Sequence, residues 1–368
     1  MGVISNKNAE YKAIGFRRWF AWVLWGIISA GMVLYVVFRM FVFTLKSDLT
    51  PYEWKATDTF NSANYSTVTA DVNGNFTILQ LTDLHFLSGT GSLDLKTLDL
   101  AERLIDKTNP DLVIVTGDTT FAIDNANALR KWIKFIDKQC AKRGIKWAMT
   151  FGNHDSTGFA DKTRLCDMLQ KSEYSLFDVG PTNLDDGLYG KTLGNYAINL
   201  KNAAGEIKGS FILLDSNEAG KDKQEGKYAP ISKSTVSWYE WYLTGIKNEI
   251  GFMPPSLAFF HIPLPEYAIA TQNFTESDGK FEKVCCSGKN TGMFAKIKEL
   301  GSTVATFSGH DHQNHYQVNY EGILLANTIS GGYCTYGKKA IKGGRVINLN
   351  VNEVGLGLDT YILFAADC

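Results

Sequence analysis

Hydrophobic and polar positions alternate along most of this chain with short periods, but one stretch has no charged break. Residues 19–38, WFAWVLWGIISAGMVLYVVF, carry no charge and sit between Arg17-Arg18 and Arg39. At about 1.5 Å per residue, such a run matches a hydrocarbon core about 30 Å thick. Trp19, Trp22 and Trp25 lie near one end, where indoles favour the interface. The run is longer than the apolar core of a signal peptide, and Ser29-Ala30-Gly31 lies inside it. The pattern predicts an uncleaved transmembrane signal-anchor helix over 19–38, between a tail (1–18) and a polar stalk or linker (39–75).

From residue 76 the grammar changes to short β-branched runs followed by amphipathic stretches, the signal of βαβ units. Strands are predicted at 76–81 (FTILQL), 111–115 (DLVIV) and 146–151 (KWAMTF), with helices at 93–106 and 126–142 between them. Further strands are predicted at 196–200, 210–214, 257–260 and 303–307, with helices at 234–249 and 293–300. Mostly β pattern closes the chain, at 316–318, 323–326, 345–349 and 361–364. These strands are too many for one open parallel sheet. Two sheets packed face to face with outer helices, in one domain over 76–368, is the architecture expected.

Charge refines this picture. The whole chain has a net charge of −1. Lys7, Lys12, Arg17, Arg18, Arg39 and Lys46, less Glu10, give residues 1–46 a net +5, which leaves −6 for residues 47–368. An acidic domain is a poor binder of polyanions, so no nucleic acid is expected as a stable partner. Four basic residues precede the span, while Arg39, Lys46 and Lys55 follow it, a small positive-inside bias toward a cytoplasmic N-terminus. Glycosylation sequons begin at Asn64, Asn75 and Asn273, all after the span. Together these predict a single-pass type II membrane glycoprotein with its large domain extracytosolic, at the cell surface or in a secretory or endolysosomal lumen. Six cysteines without CxxC spacing would there form up to three disulfides, with adjacent Cys285 and Cys286 pairing to different partners.

Chemistry is concentrated at strand ends. After 76–81 comes Thr82-Asp83-Leu84-His85; after 111–115, Thr116-Gly117-Asp118; after 146–151, Gly152-Asn153-His154-Asp155. His261 follows 257–260, and Ser308-Gly309-His310-Asp311-His312 follows 303–307. In α/β sheets the carboxyl ends of strands are where ligands bind, so side chains far apart in sequence can converge. Imidazoles with carboxylate and amide oxygens suit a site for two metal ions, and Fe, Zn and Mn all match such N/O donors. Strand alternation would turn Asp83 and His85, and likewise His310 and His312, the same way. His315, Glu266 and Tyr267 are candidates for the rim of the substrate entrance.

The ordered set D-x-H, G-D, G-N-H-D, H and G-H-x-H resembles the calcineurin-like metallophosphoesterase superfamily. Residues 259–267 (FFHIPLPEY), 309–314 (GHDHQN) and the Gly331-Gly332-Tyr333 turn look most like its single-domain, purple-acid-phosphatase-29-like branch. The resemblance implies a four-layer α/β/β/α sandwich and a dinuclear centre. Carried over by position, Asp83, His85 and His312 would bind one ion and Asn153, His261 and His310 the other, with Asp118 bridging. His154 would face the scissile phosphate, held in orientation by Asp155. One departure concerns colour: where purple acid phosphatases carry an iron-binding tyrosine, this chain has Phe121, and His85 fills the vacancy. The resemblance thus implies a colourless, hydrolytic site.

The activity expected is hydrolysis of phosphate monoesters by direct attack of a metal-bridging hydroxide, with His154 as proton donor or transition-state stabiliser. Two alternatives accompany it: a phosphodiesterase or nucleotide pyrophosphatase on the same site, and an inactive membrane-anchored binding protein.

Overall fold

The computed structural model describes residues 2–43, 49, 52–188, 192–352 and 356–368. They form two compact units, Met1–Lys46 and Ser47–Cys368. The first is one helix, α1 (Gly2–Phe43). Within it Phe16–Phe38 is long and apolar enough to cross a membrane, with a mean hydropathy of 2.1 and none of its residues buried in protein.

The second unit holds two sheets. One is built from β2 (Asn75–Leu81), β3 (Leu112–Thr116), β4 (Lys146–Thr150), β11 (Gly343–Asn350) and β12 (Gly357–Phe364), in the order β12-β11-β2-β3-β4. The other contains β1 (Ser66–Thr69), β5 (Tyr196–Lys201), β6 (Ile207–Leu213), β7 (Ser256–Phe259), β8 (Thr303–Ser308), β9 (Gln317–Tyr320) and β10 (Ile323–Asn327). Its order is β1-β5-β6-β7-β8-β10-β9. Parallel pairing runs through β2-β3-β4 and through β6-β7-β8-β10. Those strands are buried on both faces, which explains why they read as continuous apolar runs such as LVIV instead of alternating.

The sheets face each other. Phe76 of β2 packs on Phe211 of β6, and Gln80 Nε2 donates to Ser308 O at the end of β8. Helices α2 (Ser92–Thr108), α3 (Asn125–Arg143) and α4 (Lys162–Gln170) belong to the five-stranded side; α2 packs on β2 and β11, and α3 packs on β4. α5 (Lys233–Ile250) and α7 (Met293–Leu300) cover the seven-stranded sheet, burying Trp238, Tyr242, Phe294 and Ile297 against Ile212, Ala258 and Leu325. The result is the expected four-layer α/β/β/α sandwich.

Several local expectations change. The segment taken as stalk contributes to the domain: Trp54 is buried among α5 side chains, and Asn183 bonds both its N–H and its carbonyl. Ser66–Thr69 is an edge strand, parallel to β5. Its STVT sequence alternates partly buried and exposed positions and buries none of them fully, so no apolar stripe announces it. Helices α4 and α6 (Pro265–Ala270) were not predicted. All six cysteines are free thiols, so the expected disulfides are not formed, and burial pushes the Cys140 thiol up to about 12.

Candidate metal centre

The strands stop short of the functional residues. β2 ends at Leu81, β3 at Thr116 and β8 at Ser308, and the backbone then turns left-handed at Asp83 (φ 52°), His85 (φ 50°), Asp118 (φ 49°) and His310 (φ 74°). Non-glycine residues pay for this conformation, and such strain collects at functional sites. Asp83 and His85 therefore share a direction because of paired left-handed turns, which replaces the strand alternation expected from sequence. The loops brace each other: Asp83 N–H donates to Gly117 O at 3.1 Å and His85 N–H to Asp118 O at 2.9 Å. A Cβ at Gly117 would lie 2.5 Å from Gly152 N, and one at Gly152 would lie 2.2 Å from Asp118 Oδ1. Glycine at both positions lets the 117–118 and 152 segments approach so closely.

Ligand-type atoms converge at the mouth of these loops. His85 Nε2 lies 3.3 Å from Asp118 Oδ2 and 3.7 Å from Asp83 Oδ1. His312 Nε2 is 3.2 Å from Asp83 Oδ1, and His261 Nε2 is 3.3 Å from Asp118 Oδ2. His310 Nδ1 is 3.1 Å from His261 Nε2. Two donor clusters result, Asp83-His85-Asp118-His312 and Asp118-His261-His310, and Asp118 belongs to both. Donors about 2.1 Å from a common ion stand roughly 3.0 Å apart in octahedral and roughly 3.4 Å apart in tetrahedral geometry. The shortest contacts fall in that interval.

A stronger test of fit is which atoms lack hydrogen bonds. Asp83 gives Oδ2 to His310 N–H and Thr82 Oγ1, and Asp118 gives Oδ1 to His154 N–H. Their other oxygens, Asp83 Oδ1 and Asp118 Oδ2, are buried without a hydrogen-bond partner, as are His85 Nε2, which faces them, and Asn153 Oδ1. Leaving one such group unmet costs about 1–3 kcal/mol, so a cluster of them is expensive unless cations fill it. His261 and His312 are fixed from behind, Nδ1 of the first on Thr116 O (2.8 Å) and Nδ1 of the second on Thr335 Oγ1 (2.7 Å). That arrangement frees each Nε2 for an ion.

Electrostatics agree. Burial alone would raise Asp83 and Asp118, but the facing imidazoles hold both carboxyls well below the usual range. Burial would lower His85 and His261; Asp118 and Asp83 outweigh it and push them up to about 9 and about 10. The pocket thus collects positive charge, as protons or as ions. Burial and the charge of His261 lower His310 to about 3.

Two sequence expectations need correction. Asp155 does not hold the His154 ring, whose Nδ1 has no hydrogen-bond partner: its oxygens accept from Thr120 N–H (2.9 Å) and Gly152 N–H (2.8 Å). It ties two ligand loops together, and burial with the nearby Asp118 charge pushes its carboxyl up to about 7. Tyr267 is fully buried, donating to Thr306 O, and Glu266 accepts from Asn290 Nδ2, so Tyr267 does not line an entrance. His315 packs between Phe281 and Phe364, outside both donor clusters. His154 is half-buried beside the centre, its ring 5.5 Å from that of His85. Sequence reasoning missed Thr335, which carried no motif, although the neighbouring Gly331-Gly332-Tyr333 turn was visible.

The match to a family model gives the same direction. The family model described as "Calcineurin-like phosphoesterase" matches residues 76–314. A protein of Arabidopsis thaliana named "Probable inactive purple acid phosphatase 28" is 28% identical over 318 residues, covering 78% of this chain and 78% of its own. "Phosphatase DCR2" of Saccharomyces cerevisiae is 30% identical over 273 residues, covering 66% of this chain and 45% of its own. Among solved structures, a dimetal phosphatase from Danio rerio aligns with a TM-score of 0.49 at 13% identity, over 78% of this chain and 99% of that one.

Proposed function

The chain belongs to the calcineurin-like phosphoesterase family, and from that premise we propose that it is a membrane-anchored, dinuclear-metal phosphatase acting on phosphate monoesters. The observation that carries this reading is the set of buried, unpartnered ligand-type atoms on Asp83, His85, Asp118 and Asn153. Asp83, His85 and His312 would hold one ion, Asn153, His261 and His310 the other, and Asp118 Oδ2 would serve both. Ions held there would supply the chemistry of a two-metal site, an acidified water and positive charge against that which develops in an in-line displacement. Asp83 and Asp118 would neutralise only part of that charge, leaving a local excess for a phosphate dianion.

The chain's own residues do the rest. Asp118 Oδ1 fixes the backbone of His154, which stands half-buried beside His85. Burial holds His154 below the usual histidine range. Near neutral pH it therefore presents one N–H, which can donate to the leaving oxygen or to a phosphoryl oxygen. Asp155 sets the distance between the 118–120 and 152–154 segments through two backbone amides.

Anchoring is part of the proposal: residues 1–18 in the cytoplasm, 19–38 in the bilayer and the catalytic domain outside the cytosol. The basic residues before the span and the sequons at Asn64, Asn75 and Asn273 support that orientation. A glycosidase-sensitive mass on the full chain expressed in cells would support it, and an unglycosylated chain with protease-accessible domain in the cytosol would overturn it. For the activity, the test is phosphate release from a nitrophenyl monoester against its bis-diester, with Mn, Zn or Fe supplied. Faster monoester turnover supports the reading; faster diester turnover gives the site to a phosphodiesterase. Tight metal binding without turnover of either would make the protein an inactive binder.

A further inference from the structure

Each of three aromatic rings at the mouth of the metal centre rests on a different histidine. Phe121 meets His154 edge to face at 4.7 Å and His85 at 5.6 Å. Tyr228 stands perpendicular to His310 at 4.4 Å, and Tyr336 stacks on His312 at 4.1 Å. The rings of His85 and His312 are themselves 4.8 Å apart. Phe121 and Tyr336 thus stand at the two ends of one row of rings.

Neither of the end residues serves the core. Phe121 is 47% exposed and Tyr336 56% exposed. Phe121 is held by its backbone, N–H to Phe86 O, and Leu87, next along that neighbouring segment, is also half exposed. Tyr336 is fixed by its hydroxyl, which donates to Glu282 Oε2 at 3.1 Å. Single exposed apolar side chains need no explanation, but rings gathered around a polar catalytic mouth do. Aromatic faces recognise other aromatic rings by offset or edge contacts.

We propose, resting on the phosphatase reading, that the preferred substrates are aryl phosphates, in which the phosphorylated oxygen is bonded directly to a planar ring. The ring spacing selects this class. Phe121 packs directly on the histidine beside the reacting phosphate, so it meets whatever is attached to the ester oxygen itself. A base separated from its phosphate by a sugar would lie a sugar's width farther out. In the reaction the oxygen of water bonds to phosphorus, the bond from phosphorus to the phenolic oxygen breaks, and a proton from the water ends on that oxygen. Phenol and inorganic phosphate leave.

Substrate turnover alone would mix ring recognition with leaving-group reactivity, so inhibition by stable phosphonates is the better probe. With the metal-loaded full chain in detergent, and 4-nitrophenyl phosphate as reporter, phenylphosphonate should inhibit about tenfold more tightly than propylphosphonate, the worth of one or two aromatic contacts. In Phe121→Ala and in Phe121→Leu, which keeps apolar bulk without a ring, that advantage should fall below about threefold with metal content unchanged. Equal inhibition by the two phosphonates in the native chain, with hydrolysis intact, would overturn the aryl assignment alone. An advantage that survives both substitutions would overturn the role of Phe121. Absence of hydrolysis in a fully metal-loaded chain would instead sink the phosphatase reading beneath it.

Discussion

Arg345 offers the sharpest test of how the two sheets hold the metal centre. It lies on β11 of the five-stranded sheet and is fully buried. Its guanidinium bonds Thr360 Oγ1 of the neighbouring strand β12 through Nη1 and crosses to the other sheet with the rest: Nε donates to Thr328 Oγ1, Nη1 to Gln317 Oε1, and Nη2 to the carbonyls of His315, Tyr316 and Asn327. Three of the partners, His315, Tyr316 and Gln317, follow directly on the segment that carries His310 and His312. Burial of the charge lowers its pKa to about 10, so the hydrogen bonds work against a real desolvation cost. Arg345→Met removes that cost but strands the carbonyls it bridged; Tyr316 O keeps a bond from Asn327 N–H, whereas His315 O and Asn327 O lose this donor. Charged hydrogen bonds contribute about 1.5–3 kcal/mol each, and breaking a buried charged network from one side typically costs about 3–5 kcal/mol. We expect a loss in that range, near 6–10 °C in Tm at roughly 2 °C per kcal/mol, with a smaller loss for Arg345→Lys. Urea unfolding with and without chelator is the assay. A methionine variant within about 1 kcal/mol of the native chain would refute the idea that this side chain braces the sheets.

Other residues give independent checks. Thr335→Val deprives His312 Nδ1 of its partner and should weaken metal binding about 10- to 100-fold, read by competition with a chelating dye, while Thr335→Ser retains affinity; equal affinity for valine would remove Thr335 from the site's support. Asp155→Ala orphans two backbone amides and should cost about 2–5 kcal/mol and loosen ion binding, whereas His154→Ala should lower kcat about 10²- to 10⁴-fold with metal content intact. Loss of metal from the His154 variant would make that residue a ligand. Burial lowers the Lys342 ammonium to about 8. Between pH 8 and its unfolded value near 10.5 the unfolded chain binds more protons, so this group's contribution to stability rises with pH, by up to about 3 kcal/mol. Lys342→Met should lack that rise in denaturant titrations at pH 7.5 and 10, and an unchanged slope would contradict the assignment.

The residues of the centre were legible because each follows a strand made obvious by its apolar run: Asp83 after FTILQL, Asp118 after DLVIV, His310 after TVATF. Strong periodic segments also gave α2, α3, α5 and α7 close to their observed bounds. What stayed hidden depends on tertiary contact. A polar edge strand such as Ser66–Thr69 gains its identity from β5, not from its own pattern. Left-handed turns at Asp83, His85 and Asp118 exist because adjoining loops over-determine them, and no local propensity encodes that. Arg345 looked like a polar position on a late strand, and Asp155 like a partner for the histidine beside it. Both spend their hydrogen bonds on segments that sequence separation concealed.

Metal stoichiometry joined to turnover tests the central claim most directly. The purified full chain, reconstituted with Mn, Zn or Fe and analysed by elemental mass spectrometry, should hold about two ions per chain and release phosphate from a monoester. Asp118→Asn, which alters the carboxylate common to both donor clusters, should lose metal occupancy and activity together. A native chain that binds no transition metal on reconstitution, or an Asp118→Asn variant that stays fully loaded and active, would contradict the dinuclear centre.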